Sequence, residues 1–380
     1  MDYSSYSVKV PGKLMIAGEY AVLEPKQKAV VIAVNRYVTA YIKPHSKNHL
    51  SLPQMGLEDI TWELTSEGLK FNTEDSRLNF LQNSMAAAIA FLHENSIALR
   101  PFHLSIVSEL DDSVTGKKYG LGSSAAISTA VISAVLQLHR NGGSSSLEEI
   151  FKLSAIAHLK TQGSGSGADI AAAVYGGWLE YSAFSSSWIL KSLEDNKKLT
   201  EIIKSPWPNL SIRKLTPPSD LCLAVGWTKE AAATAPMIKC IQSFRKNNLN
   251  AYEEFLNESS LSVKELIDSF EENNSAKAVN ALVRNRKALC NLGAESGADI
   301  ETEKLKKLSS IADNFGCGKS SGAGGGDCGI AFLKKDTERQ ELYKEWIKAN
   351  IIPLDLTVSM KGINVLKINE KNWDILDLSS

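Results

Sequence analysis

Glycines, serines and lysines gathered in three short runs are the residues of this chain whose types and spacing could do chemistry. Residues 118–128 read KYGLGSSAAIS, two glycines and two serines ahead of an apolar run. Free N–H groups at the start of a helix, with the helix dipole, form an anion site, and glycines let the backbone close around phosphate oxygens. The run lacks the Gly-Lys pair of a G-x-x-x-x-G-K-[ST] loop; its lysines, Lys117 and Lys118, stand just before it. A glycine turn ahead of a core helix is the competing use of the same residues. Residues 319–331, KSSGAGGGDCGIA, bring Gly322, Gly324, Gly325 and Gly326 together. That density is entropically costly, so close approach of the backbone to a ligand is the economical explanation and a hinge the alternative. Lys319, Ser320 and Ser321 add a cation and two hydroxyls. In the third run, VPGKLMIAGEYAVLE at 10–24, Lys13 opens a strand and Glu19 follows a glycine; a lysine so placed is ordinarily solvated.

The elements that must position these runs follow from periodicity. SVKV, KLMIAG and AVVIAVNRYVTAYI read as strands, ITWEL and LKFN as a hairpin, and residues 77–95 as an Ala-rich helix. The strand FHLSIVSEL and a basic loop lead into GLGSSAA, which feeds the helix AAISTAVISAVLQLHR, stopped by Asn141, Gly142 and Gly143. Ser146 and Glu149 make a capping box for a helix to about Lys160; QGSGSGAD then breaks the chain before a short helix ended by Gly176 and Gly177. Residues 185–218 form the most loop-like long stretch and set the expected boundary between a domain at 1–215 and one at 216–380. Beyond it come the strand LCLAVGW, four helical patterns between about 230 and 314, the strand CGIAFL, a helix near 337–349, and the strands LTVSM and INVLKI. The class is α+β.

Composition narrows the function. The 380 residues carry 42 basic and 43 acidic side chains, so no global field attracts nucleic acid or an anionic membrane, and any anion must be held locally. Five cysteines without C-x-x-C spacing and six scattered histidines give neither a zinc site nor a disulfide framework, which fits a reducing cytoplasm. No stretch approaches the ~20 apolar residues of a membrane span, and no signal pattern opens the chain.

Taken together, PGKLMIAGEYAVLE, GLGSSAA and KSSGAGGGDCGIA resemble the three ordered signature motifs of the GHMP small-molecule kinase superfamily. Within it, Glu19-Tyr20, GKKYGLGSS, GSGADIAAAVYGG and GWTKEAAAT are most similar to the phosphomevalonate kinases of the mevalonate pathway. The resemblance covers nearly the whole chain. It implies the GHMP kinase fold, with an N-terminal domain like ribosomal protein S5 domain 2, a ferredoxin-like C-terminal domain and a cleft between them. It implies ATP with Mg2+ as phosphoryl donor, phosphomevalonate as acceptor, and no nucleic-acid or membrane partner. Residue by residue, it puts Lys118, Gly120, Leu121, Gly122, Ser123, Ser124 and Ala125 on the nucleotide phosphates, with Ser124, or Ser123 as the alternative, nearest the metal. Lys13 and Asp169 fall on the catalytic pair, and Lys117, Ser166, Lys229, Lys319, Ser321 and Gly322 on the acceptor. Where several relatives carry a metal-binding glutamate upstream of the aspartate, this chain reads Ala157, His158, Leu159, Lys160; His158 is read as a packed helical histidine.

The chemistry asks for alignment and charge compensation more than for covalent help. A phosphate monoester with a second pKa near ~6 has no proton left to lose at neutral pH, so Asp169 is expected to orient Lys13 or the magnesium nucleotide. With an alcohol acceptor, as in mevalonate kinases, the same aspartate would take the proton. Two unit charges about 4 Å apart repel by roughly 4 kcal/mol at an effective dielectric of 20. Lys13, Lys117, Lys118, Lys229 and Lys319 are the cations expected to offset that repulsion, with Lys9 and Arg36 as weaker candidates.

Overall fold

The computed structural model describes residues 4–66, 68–140, 143, 145–232 and 234–368. Long alternating apolar runs build the first half around two extended strands, β1 (Ser5–Ala17) and β2 (Lys28–Pro44). Strands β3 (His49–Leu52), β4 (Leu57–Thr65) and β5 (Gly68–Phe71) precede α1 (Asn79–Glu94) and β6 (Phe102–Ser108). Helices α2 (Ser123–His139), α3 (Leu147–Gln162) and α4 (Ala168–Tyr175) follow, then β7 (Trp178–Ser182), α5 (Ser186–Glu194), α6 (Leu199–Lys204) and β8 (Ser211–Leu215). The expected stop of α2 at Asn141 and Gly142 lies outside the described residues.

The second half opens with β9 (Cys222–Trp227), then α7 (Thr234–Asn247), α8 (Leu249–Glu271), α9 (Ser275–Ser296) and α10 (Glu303–Ala312). Strands β10 (Gly316–Ser320) and β11 (Cys328–Leu333), helix α11 (Arg339–Lys348), and strands β12 (Ile352–Leu354) and β13 (Asn364–Ile368) complete it. Its antiparallel sheet runs β10-β11-β9-β12. With helices after the first and third strands, this is the β-α-β-β-α-β arrangement of a ferredoxin-like fold.

The larger sheet runs β13-β1-β2-β6-β3-β4-β5. β2 divides its pairing: Val38–Pro44 bond β6, and Lys28–Ile32 bond β7, which pairs β8. Helix α2 is buried along nearly its whole length between this sheet and α1, α3 and α4; an apolar helix with no polar face has to be. Ser146 caps α3 as expected, its Oγ accepting from Glu149 N at 3.1 Å.

Three expectations need correction. Residues 185–218 are not a long loop but α5, α6 and β8. Ser185 caps α5, and Ile189, Ile202, Ile203 and Trp207 are buried beneath the polar residues that made the stretch look irregular. Nor does everything after 215 belong to the second sheet, because β13 crosses back to pair with β1, Val8 opposite Val365. LTVSM is no strand; it contributes one bridge, Val34 to Val358. The halves meet through Trp178, whose ring lies 5.3 Å from Phe270 and 6.2 Å from Phe332, and through Tyr119 edge-on to Trp227 at 4.8 Å. No helix among the described residues is long and apolar enough to cross a membrane.

Candidate active site

The first two runs meet backbone to backbone. Lys13 N–H donates to Leu121 O at 2.8 Å, beside a β1 register shift at Pro11/Gly12. A Cβ on Gly12 would stand 2.8 Å from that carbonyl, so the approach requires glycine. Lys13 is thereby aimed along the phosphate loop, and its Nζ donates to Gly120 O at 3.2 Å.

Gly122, with φ +79°, is the N-cap of α2, and no side chain caps that helix. The first intrahelical bond joins Ala126 N–H to Gly122 O, so the amides of Ser123, Ser124 and Ala125 precede the ladder and suit an anion. A Cβ on Gly122 would fall 2.9 Å from Lys13 Cγ and 3.6 Å from Asp169 Cβ. The loop therefore presents bare backbone where the lysine and the aspartate converge.

Asp169 enters from the first turn of α4, behind Gly167 at φ +77°. A side chain on Gly167 would strike Phe184 at 2.7 Å and the Tyr181 hydroxyl at 3.0 Å. Tyr181 is fully buried, donates to Ser166 O in a short bond, and has its hydroxyl pushed well above the ordinary range, by burial first and by the Asp169 charge second. It props the turn that carries Asp169. The Ser166 hydroxyl accepts from Ala168 N. Ser124 Oγ lies 3.3 Å from His158 Nε2, and that buried ring packs 4.9 Å from Phe80. His158 is packed, as expected, and also faces the serine.

The third run arrives from the other half of the chain. Gly322 faces Lys13, whose Nζ would lie 3.9 Å from a Cβ there. Lys13 thus stands among Gly120, Gly122, Asp169 and Gly322. Lys117, Lys118 and Lys229 are exposed, and Lys117 Nζ donates to Lys229 O at 3.3 Å. Asp327, at the end of the run, has its carboxyl raised by burial against the opposing pull of Lys13 and Lys118.

Lys319 is a correction. It is completely buried, and its Nζ bonds Glu19 Oε1 at 2.5 Å, Ile16 O at 3.2 Å and Ser320 O at 2.7 Å. All three donors are committed, so it is not a cation for the acceptor phosphate. The Ser321 hydroxyl likewise donates to Met15 O at 2.9 Å, and Tyr20 OH donates to Ala323 O at 2.6 Å. Together these bonds clamp the glycine-rich loop to the end of β1. Nor is ligand approach the reason for most of its glycines. A Cβ would meet Ile300 O at 2.0 Å from Gly324, Met237 Sδ at 2.6 Å from Gly325, and Glu230 O at 2.6 Å from Gly326.

Sequence reasoning had no role for Tyr181, Tyr20, Glu19 or Asp327. For Asp327 a signal existed, a lone acid closing a glycine run that otherwise favours anions. For Tyr181 there was none, since its strand reads as ordinary core.

Residues 82–177 match the GHMP kinases N terminal domain, and residues 275–352 match the GHMP kinases C terminal domain. A phosphomevalonate kinase of Streptomyces sp. (strain CL190) is 31% identical over 367 residues, 93% of this chain and 97% of that protein. A solved structure of Streptococcus pneumoniae phosphomevalonate kinase, in complex with phosphomevalonate and AMPPNP, aligns with a TM-score of 0.80 at 29% identity, covering 93% of this chain and 99% of that one. A mevalonate kinase of Thermococcus sibiricus is 23% identical over 93% of this chain and 96% of its own length.

Proposed function

This chain belongs to the GHMP kinase family and is a phosphotransferase, and from that premise we propose that it transfers the γ-phosphoryl group of ATP to (R)-5-phosphomevalonate. The products are 5-diphosphomevalonate and ADP, in cytoplasmic isoprenoid precursor synthesis. The observation that carries the reading is the gathering of Gly120, Gly122 and Gly322 about Lys13, with Asp169 bordering the same Gly122, so that residues from three distant segments surround one lysine.

Charge compensation explains the arrangement. The α2 amides and the phosphate loop receive the nucleotide phosphates, and Lys13 neutralises charge on the group in transit. Lys117, Lys118 and Lys229 offset the acceptor dianion. A dianionic acceptor needs no strong base, so Asp169 orients Lys13. Magnesium takes oxygen ligands, keeps several waters, and is usually bound by one or two carboxylates with substrate phosphates. Ser124 and Asp169 offer oxygens of that kind, and no group of three or more His, Cys, Asp or Glu among the described residues forms a protein cage. This donor set suits a cation that arrives with the nucleotide. Ser124 and Asp169 would hold it, and when bound it supplies positive charge to the β- and γ-phosphate oxygens.

The likeness to a mevalonate kinase supports a second reading, an alcohol acceptor with Asp169 as base. ADP release with each acceptor decides between them. Phosphomevalonate is expected to be turned over, with the rate rising through pH ~6 to a plateau set by its own second pKa. Turnover of mevalonate alone would replace this reading with the second, and no turnover of either would leave a ligand-binding protein. Lys13→Met is expected to lower kcat about 10²–10³-fold while ATP affinity, by titration with a non-hydrolysable analogue, stays within a few-fold.

A further inference from the structure

Asp327 stands where three segments of the site meet. Its φ is +54°, a conformation that among side-chain-bearing residues Asn and Asp adopt most readily. Its N–H donates to Glu230 O at 2.7 Å, and its carbonyl accepts from Thr228 N and Thr228 Oγ1, both at 2.9 Å. Its carboxyl accepts from Ala232 N at 3.4 Å on one side. On the other it lies against Gly120, where a Cβ would come within 2.5 Å of Oδ2. Gly120 is also the residue whose carbonyl holds Lys13 Nζ. The charges of Lys13 and Lys118 both act on the carboxyl, and Lys229 is carried on the segment that it grips.

A carboxylate here works against the binding of two phosphate-bearing molecules, and a neutral side chain would serve anion binding better. Its contacts say what it does instead. We infer that Asp327 is a positioning residue: its side chain links the 228–232 segment, through Ala232, to Gly120, whose carbonyl holds Lys13 Nζ, and so keeps Lys229 and Lys13 set beside the site. The acceptor phosphate then meets cations already in place, which lowers the ordering cost of binding. This rests on the phosphate-acceptor reading above; the seating itself does not.

Asp327→Gly and Asp327→Asn both tolerate the backbone conformation, so the side chain can be tested without strain. Asp327→Gly removes the side-chain bond to Ala232 N–H and the packing on Gly120 while keeping the backbone bonds to Thr228 and Glu230, whereas Asp327→Asn keeps an oxygen for Ala232 N–H and the packing on Gly120 but loses the charge. In substrate-free protein, amide hydrogen exchange at Ala232 should accelerate about tenfold in Asp327→Gly and stay close to wild type in Asp327→Asn, as expected for loss of one hydrogen-bonded seat. In turnover, Asp327→Gly should raise the acceptor KM about tenfold and leave the ATP KM within about twofold, with Asp327→Asn intermediate. Native exchange in Asp327→Gly would overturn the proposal. So would equal losses for both substrates, or a changed magnesium requirement in Asp327→Asn with native exchange, which would make the carboxylate a metal ligand. If wild-type protein turns over only an alcohol, the acceptor reading fails, and the exchange result still decides the seating.

Discussion

Gly122 and Gly324 share a backbone conformation, φ +79° and +77°, for opposite reasons. At Gly122 the absent side chain leaves open a space bordered by Lys13 and Asp169; at Gly324 it avoids the Ile300 carbonyl, 2.0 Å from where a Cβ would be. Gly120 and Gly122 lead into α2 with the amides of Ser123, Ser124 and Ala125 ahead of the helical ladder. The 319–327 loop is glycine-rich mainly so that the protein can hold it close, pinned by Glu19–Lys319, Tyr20–Ala323 and Ser321–Met15. Two loops of like composition thus use their glycines differently, one to leave backbone uncovered and one to be held in place.

The largest expected effect is on the pinned loop. Lys319→Met leaves the Glu19 carboxylate buried without its partner, which should cost about 3–5 kcal/mol in urea unfolding, and Glu19→Leu with Lys319→Met should recover much of that. A stable Lys319→Met protein that had lost only acceptor affinity would restore Lys319 as a ligand cation and erase the contrast between the loops. Next, Gly324→Ala should lower stability by at least about 1–3 kcal/mol through backbone strain alone. Gly122→Val should abolish binding of an ATP analogue in calorimetry while shifting Tm less than Gly324→Ala does. Matching losses of stability would mean that both loops are structural.

The smallest effect belongs to Asp327. Burial raises its carboxyl value in the folded protein, so the native state holds the proton more tightly than the unfolded chain. That contribution is complete below the ordinary carboxylate value and is lost as pH rises through the raised one. At pH 7 the wild type therefore bears a half-buried charge that Asp327→Asn lacks. The variant's Tm should stand about 1–2 °C above wild type at pH 7 and converge with it near pH 4. Stability lost to a charge kept in a working site is a familiar exchange.

The glycine turn ahead of α2 was legible because its evidence is local: glycines, then serines, then an unbroken apolar helix. The N-cap at Ser146 was legible for the same reason, although the Glu149 carboxylate turns to Arg140 instead of closing a capping box. Lys319 was not, because its partner Glu19 lies 300 residues away, and a lysine beside serines and glycines reads as a solvated cation until that distance closes. The helices within 185–218 were hidden by serines and prolines, whose polarity masks Ile189, Ile202 and Trp207 facing the core. No local pattern could tell that Asn364–Ile368 would return to β1, since an edge strand's partner is chosen by tertiary packing.

That return also constrains motion. The ferredoxin-like half is joined to the larger sheet twice, once between β8 and β9 and once between β12 and β13, where Asn35 N–H bonds Thr357 O and Val34 bridges Val358. A body tethered at one point can rotate about any axis; a body tethered at two is left with the line through both. Rotation about that line would have to break the bonds of Lys319, Ser321 and Ala323 to the end of β1, so the paired tethers and the pinned loop together hold Gly322 and Asp327 in register with Lys13 and Gly120.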